Sequence, residues 1–193
     1  LIKLLDIVEK GDVEAWDEEI QKIELEHFYK YDSRDVKEYV DPRYLISMIS
    51  EIAGDNTVIT TEVGQNQIWA ANHYNVKKPR AFITSGGLGT MGYGLPAAIG
   101  VKIGSPGSKV IAIGGDGSFQ MSMQELGTIM QNKLGIKMIV LNNFVLGMVR
   151  ELQKVGYGGR YSQVNLDANP DFVKIADAYG FKGNRISRNS EVA

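Results

Sequence analysis

Cysteine is absent from the 193 residues of this chain. That excludes disulfides, thiolate metal centres and a cysteine nucleophile. Histidine is scarce: His27 and His73 are the two present, far apart in sequence, so a histidine-based metal site is not expected. Strong charge of either sign is also missing. A formal net charge of −2 and a pI near 5.8 offer no electrostatic case for nucleic acid or an anionic membrane as partner. No apolar run approaches the roughly 20 residues of a membrane span, and no signal-peptide pattern is present, so the sequence predicts a cytoplasmic protein. An initiating Met is lacking too. The chain starts inside an apolar run at Leu1 and stops at Ser190-Glu191-Val192-Ala193, which reads as the first turn of another helix. We therefore expect a piece of a longer protein. Repeats and low-complexity segments are absent.

Glycine, with 22 residues, is where the chain is rich, and it clusters at the ends of β-branched runs. Val110-Ile111-Ala112-Ile113 has the composition of a strand buried on both faces of a parallel sheet, and it runs into the tight turn Gly114-Gly115-Asp116-Gly117-Ser118. Ser122 and Glu125 have capping-box spacing, and Phe119, Met123, Leu126 and Met130 keep a helical face up to a stop at Gly135. Ile136 to Leu141 is then a second buried strand, ending at Asn142-Asn143. A βαβ unit of this kind brings Asp116 and Asn143 out at the same carboxyl edge, where open α/β sheets bind ligands. A carboxylate and an amide carbonyl there suit Mg²⁺, which takes about six oxygen ligands and often shares them with phosphates. The glycines would let backbone N–H groups approach a diphosphate. Taken singly, each half is also explained by a capped glycine turn or by an Asn pair ending a strand.

The same residues resemble a known family. Gly115-Asp116-Gly117-Ser118 followed by Asn142-Asn143 is similar to the thiamine-diphosphate motif of pyruvate-decarboxylating enzymes. Thr84 to Gly92 and Asn142 to Arg150 narrow the resemblance to the acetolactate synthase large (catalytic) subunit, over roughly residue 41 to the end. The resemblance implies a thiamine diphosphate site with Mg²⁺ held by Asp116, Asn143 and the main-chain carbonyl of Val145. It places the cofactor against Val63, Gly64, Gln65 and Asn66; Gly89 and Met91; Gly115, Asp116, Gly117 and Ser118; and Asn143, Val145, Leu146, Gly147 and Met148. Gly89 would support the pyrimidine through its backbone, with Met91 beneath the bent cofactor. Met148 and Leu152 would border the substrate. The chain departs from the family at Asn66, often His, and at Leu152, where many anabolic members carry Trp.

The implied activity is decarboxylation of pyruvate and transfer of the two-carbon unit to a second 2-keto acid, in a homodimer or homotetramer that a small regulatory subunit can join. The activating Glu would belong to a separate N-terminal domain of the partner subunit, so no catalytic residue is expected in this chain, and by itself it should bind cofactor weakly without turnover. Glu62 and Glu125 do not suit that role, one lying in the Gln-containing loop and the other at a helix cap. FAD, where the full-length protein carries it, would be bound largely outside these residues.

The expected organisation is a linker or docking helix over residues 1–40, with Trp16, Ile20, Ile23 and His27 at helical spacing, and a cofactor-binding domain over 41–193. In the latter, Asp41-Pro42 caps a helix through Leu45, Met48, Ile49 and Ile52 to Gly54. Thr57–Thr61 and Ala81–Thr84 read as strands, Tyr93–Ile103 as a helix, and Phe144–Val155 as a loop turning helical. Asn169-Pro170 reads as the cap of a helix through Phe172, Ile175 and Tyr179, and Phe181–Ile186 as a last strand. The fold class is α/β: three α/β/α layers around a mainly parallel sheet of about five or six strands. One alternative is another thiamine-diphosphate enzyme of the pyruvate oxidase/decarboxylase group; Gly87-Leu88-Gly89-Thr90-Met91-Gly92 also matches the dinucleotide fingerprint, so a Rossmann dehydrogenase domain is a further alternative. A non-catalytic domain that kept the fold is the last reading.

Overall fold

The β-branched and apolar runs become strands, as their patterning predicts. The computed structural model describes residues 11–27 and 38–192. In chain order the elements are α1 (Glu14–His27), α2 (Pro42–Ile52), β1 (Thr57–Thr61), α3 (Gln65–His73), β2 (Phe82–Ile83), α4 (Gly94–Gly104), β3 (Lys109–Gly115), α5 (Asp116–Gln120), α6 (Leu126–Gln131), β4 (Ile136–Leu141), α7 (Gly147–Gly156) and α8 (Phe172–Ala178). Short 3₁₀ turns lie at Met123–Glu125 and Asn189–Glu191. The chain divides into two compact units, Leu1–Asp32 and Ser33–Ala193. In the first, α1 forms as the spacing predicts, with Trp16 and Ile23 exposed. Residues 1–10 and 28–37 of the expected 1–40 region, and the His27 side chain, lie outside the described residues.

The second unit is built on a four-stranded sheet in the order β2-β1-β3-β4, with every pair parallel. Alternation along β3 divides its side chains between two cores. Val110 and Ala112 pack with Leu95, Ala98 and Ile99 of α4 and with Phe119, Leu126 and Ile129. Ile113 faces the other way, onto Ile46 and Ile49 of α2 and Ala70 of α3. The result is the expected three-layer α/β/α arrangement. Ile46 and Ile59 are fully enclosed, each contributing about 1.5–3 kcal/mol of apolar burial. The Asp41 side chain accepts from Arg43 N and caps α2, with Pro42 at the first helical position.

Several expectations change. The sheet has four strands among the described residues rather than five or six, because Phe181–Ile186 pairs with nothing. That segment lies along α8 instead: a Cβ on Gly183 would come within 3.2 Å of Ala176 Cβ and 3.3 Å of Val173 Cα. The helix after the Gly-Asp-Gly turn is interrupted at Met121-Ser122. There the chain packs on Gly92, whose φ is +84°, and a Cβ on that glycine would sit 3.1 Å from Met121 Cβ. The resumed helix buries Leu126 and Ile129 while Met130 is exposed. It ends at Gln131, before Gly135. The capping box does not form. Ser122 Oγ is buried with no hydrogen-bond partner, and Glu125 Oε2 accepts from Thr128 Oγ1 at 2.8 Å. The cap of α8 is Asp171, which accepts from Val173 N and Lys174 N, and not Asn169.

Candidate functional site

The strand order places a switch point between β1 and β3. From β1 the chain crosses to β2 on one side, then returns over β1 to β3 on the other. A crevice opens at such a point beyond the strand carboxyl ends. The ends of β1, β3 and β4 carry Glu62 to Asn66, Gly115 to Ser118 and Asn142-Asn143, the polar clusters singled out in the sequence.

Asp116 is 2 % exposed at the end of β3. Its Oδ2 accepts from Phe144 N at 2.8 Å and Asn169 Nδ2 at 2.6 Å, while Oδ1 accepts from Gly117 N at 3.0 Å and from no other group among the described residues. Each carboxylate oxygen has two acceptor positions, so Oδ1 retains one. Burial pushes the carboxyl above its ordinary pKa, against the opposing pull of these donors. A buried carboxylate of this kind is a good cation ligand, since a bound divalent ion compensates the desolvated charge.

The partner loop is shaped to face it. Phe144 holds φ +59°, a left-handed conformation unusual for an aromatic residue, and this turns its N–H onto Asp116. Val145 then makes an isolated antiparallel bridge with Asn165. The flanking groups make the bonds: Leu146 N donates to Val164 O and Leu166 N to Phe144 O, both at 2.8 Å. The polar groups of Val145 itself consequently point away from that segment. Its N–H donates to Asn143 Oδ1 at 3.2 Å, and its carbonyl accepts no hydrogen bond among the described residues. Asp116 Oδ1, Asn143 Oδ1 and the Val145 carbonyl border one cleft and are hard oxygen donors of the kind that could hold Mg²⁺.

At the end of β1, Gly64 adopts φ +141° and starts α3 with Gln65 and Asn66. Asn66 is 4 % exposed, its Nδ2 close to Gly64 and Gly115 and its Oδ1 buried with no partner. An unsatisfied polar atom in a cleft wall calls for a ligand or a water. Gln65 lies flat on the backbone of Gly147, where a methyl group would overlap its Oε1 and Cδ. Gly147→Ala should therefore displace a flexible side chain rather than the fold. We expect an unchanged melting temperature and about fivefold weaker binding of thiamine diphosphate by calorimetry, the worth of one hydrogen bond.

Glu62 has a role that the sequence did not show. It is 2 % exposed, and its two oxygens accept from Gly92 N at 2.8 Å and Leu95 N at 3.1 Å. Burial raises its pKa, against the pull of these N–H donors. It thus satisfies the orphan donors at the start of α4 and secures the turn behind Gly89 and Met91. Both of its oxygens are engaged away from the cleft.

All the residues expected to touch the cofactor line one cleft of about 240 Å³. Trp69, Leu141 and Val149 also border it, as sequence reasoning had not anticipated. Trp69 lies one helical turn beyond Gln65 on α3, a signal that only a helix assignment there would have revealed. Leu152 is not among the lining residues: it lies further along α7 and is 63 % exposed.

A family model described as "Thiamine pyrophosphate enzyme, C-terminal TPP binding domain" matches residues 62–193. A probable acetolactate synthase large subunit from Methanococcus aeolicus is 43 % identical, the alignment covering 100 % of this chain and 34 % of that protein. The acetolactate synthase isozyme 2 large subunit of Escherichia coli is 42 % identical, over 92 % of this chain and 32 % of its own length. The mitochondrial acetolactate synthase catalytic subunit of Saccharomyces cerevisiae is also 42 % identical, over 98 % and 28 %. The chain thus spans about a third of the length of the curated relatives it matches. With the cleft at the β1/β3 switch point built from the residues of that match, the chain belongs to the family of C-terminal thiamine-pyrophosphate-binding domains of thiamine pyrophosphate enzymes.

Proposed function

We propose that this chain is the thiamine-diphosphate- and Mg²⁺-binding part of an acetolactate synthase large subunit. The whole protein would decarboxylate pyruvate and join the two-carbon unit to a second 2-keto acid, giving acetolactate or acetohydroxybutyrate. The observation that carries this reading is the oxygen set at the cleft: a buried carboxylate with one free acceptor position, an amide oxygen and an unbonded main-chain carbonyl, beside glycine-lined walls.

In this reading Asp116, Asn143 and the Val145 carbonyl hold the cation. Gln65, Asn66 and the backbone of Gly115 to Ser118 and of Leu146 and Gly147 receive the diphosphate. Gly89, with φ +65°, presents its backbone to the pyrimidine, and Met91 fills the space beneath it. When bound, thiamine diphosphate supplies the electron sink for decarboxylation. The chain's own residues anchor and orient it and keep one wall of the site dry. No proton-transfer role is assigned to them in this reading; Glu62 and Glu125 bond to Gly92 N, Leu95 N and Thr128 Oγ1. The activating carboxylate is assigned to another domain, contributed by a second copy in a homodimer or homotetramer. The 193-residue chain alone is accordingly read as inactive. Residues 1–40 are assigned as a linker from a preceding domain, and 41–193 as the cofactor domain. Leu152 would meet substrate only in a pocket completed from beyond this cleft. FAD and a small regulatory subunit belong to the full-length protein in the same reading, with the cytoplasm as its compartment. Among the described residues no helix is long and apolar enough to cross a membrane.

Calorimetric titration of the protein with thiamine diphosphate, with and without Mg²⁺, tests the assignment. Binding that requires the cation is the expected result. Cation-independent binding of a nicotinamide dinucleotide would favour the dehydrogenase alternative, and the absence of any cofactor binding would favour a scaffold.

A further inference from the structure

The most tightly determined polar contact at the site comes from a residue outside every strand-end motif. Asn169 lies 53 residues from Asp116 in sequence, in the segment before α8, and its Nδ2 donates to Asp116 Oδ2 at 2.6 Å. The same group donates to Asn142 Oδ1 at 2.9 Å, joining the ends of β3 and β4. Asn169 Oδ1 in turn accepts from Gln120 Nε2 at 3.0 Å. Gln120 Nε2 also donates to the Asp116 carbonyl at 3.0 Å, which fixes which end of the Gln120 amide is the nitrogen. Asn169 must then turn its oxygen to Gln120 and its nitrogen to the carboxylate. The main chain leading to it is pinned to the cation loop by the Leu146–Val164 and Leu166–Phe144 hydrogen bonds.

The consequence is an asymmetric carboxylate. Oδ2 is saturated by Asn169 and Phe144, while Oδ1 keeps an open acceptor position. We propose that Asn169 is a positioning residue of the cation site: by bridging Asp116 Oδ2 to Asn142 Oδ1 it locks the carboxylate rotamer and sets Asn143 beside it. This rests on the Mg²⁺ reading above. Its partners Asp116 and Gln120 belong to α5 and Asn142 to the end of β4, so Asn169 adds a second side-chain tie between the two strand ends to the one that Asp116 makes with Phe144 N.

The test uses the full-length protein and measures the dissociation constant of Mg²⁺ by calorimetry at saturating thiamine diphosphate, together with the melting temperature free of both. Asn169→Ala should raise the Mg²⁺ dissociation constant about tenfold, with the ligand-free melting temperature unchanged. Gln120→Ala, which frees the far end of the bridge, should raise it about threefold and carries the test if Asn169→Ala does not fold. Asp116→Ala is the reference. Should it abolish Mg²⁺ binding while both bridge variants bind like the parent, the bridge has no positioning role and the inference is wrong. A fall in melting temperature that accounts for any loss of affinity would make Asn169 merely structural, again overturning it. Unaltered Mg²⁺ binding in Asp116→Ala would instead remove the underlying cation assignment.

Discussion

Asp116→Ala is expected to abolish Mg²⁺-dependent binding of thiamine diphosphate while the protein stays folded. The side chain is the sole carboxylate in the proposed cation set, and Mg²⁺ held by an amide and a main-chain carbonyl alone would be poorly retained. We expect at least a hundredfold loss, about 3 kcal/mol. Stability should respond far less, because two effects oppose each other. Truncation leaves Phe144 N–H, Gly117 N–H and one of the two Asn169 Nδ2 hydrogens without an acceptor, at about 1–3 kcal/mol for each group that water cannot reach. It also removes a carboxylate whose ionised form burial disfavours. Asn143→Ala should behave similarly but more mildly, about tenfold, because that side chain is exposed and uncharged. Titration of both variants with cofactor and Mg²⁺ checks this. Parent-like affinity in the two together would end the assignment of the cation to this strand edge.

Gly94→Ala should cause the largest loss of stability. Gly94 opens α4 directly over the end of β1, and a Cβ there would lie 2.6 Å from Glu62 N, 2.7 Å from Thr61 C and 2.9 Å from Thr61 O. These are backbone atoms of the central sheet, so no side chain can move aside. The same contact is held from both sides: Thr60 Oγ1 donates to the Gly94 carbonyl at 2.9 Å, and Glu62 caps the helix. Lifting α4 away would also open the core formed by Leu95, Ala98 and Ile99. Overpacking of this kind costs about 3 kcal/mol or more, which lowers the melting temperature of a domain this size by about 10 °C. Gly100→Ala in the same helix is the control. A methyl there meets nothing within 4 Å, and replacing a helix-interior glycine should stabilise by up to about 1 kcal/mol. Differential scanning calorimetry of the pair decides the matter; equal shifts in the two variants would refute the close-packing account.

The strands and the chemistry at their ends were legible in the sequence because both are local. Thr57–Thr61 and Ile136–Leu141 have the strand bounds that their β-branched runs predict. Parallel strands then had to bring Asp116 and Asn143 to one edge, whatever the detail of the crossover. Asp116 and Asn143 stand out as oxygen donors on chemistry, whereas the Val145 carbonyl is singled out only by the family resemblance. Tertiary structure decided what could not be local. Asn169 reads as a helix cap beside Pro170, yet Asp171 caps that helix and Asn169 holds the carboxylate, because the Val145–Asn165 bridge brings its segment across the site. Glu62 reads as part of a polar loop but is drawn beneath the start of α4, where buried N–H groups need an acceptor. Ser122 and Glu125 have the spacing of a capping box, but the chain at Met121 packs on Gly92, Ser122 Oγ is buried without a partner and Glu125 bonds Thr128 instead. Phe181–Ile186 has strand composition but joins no sheet; Phe181 packs on the core and Gly183 on α8. Periodicity and turn chemistry depend on neighbours in sequence and determined the elements. Which buried donor meets which acceptor depends on how those elements pack, and only the folded chain settled it.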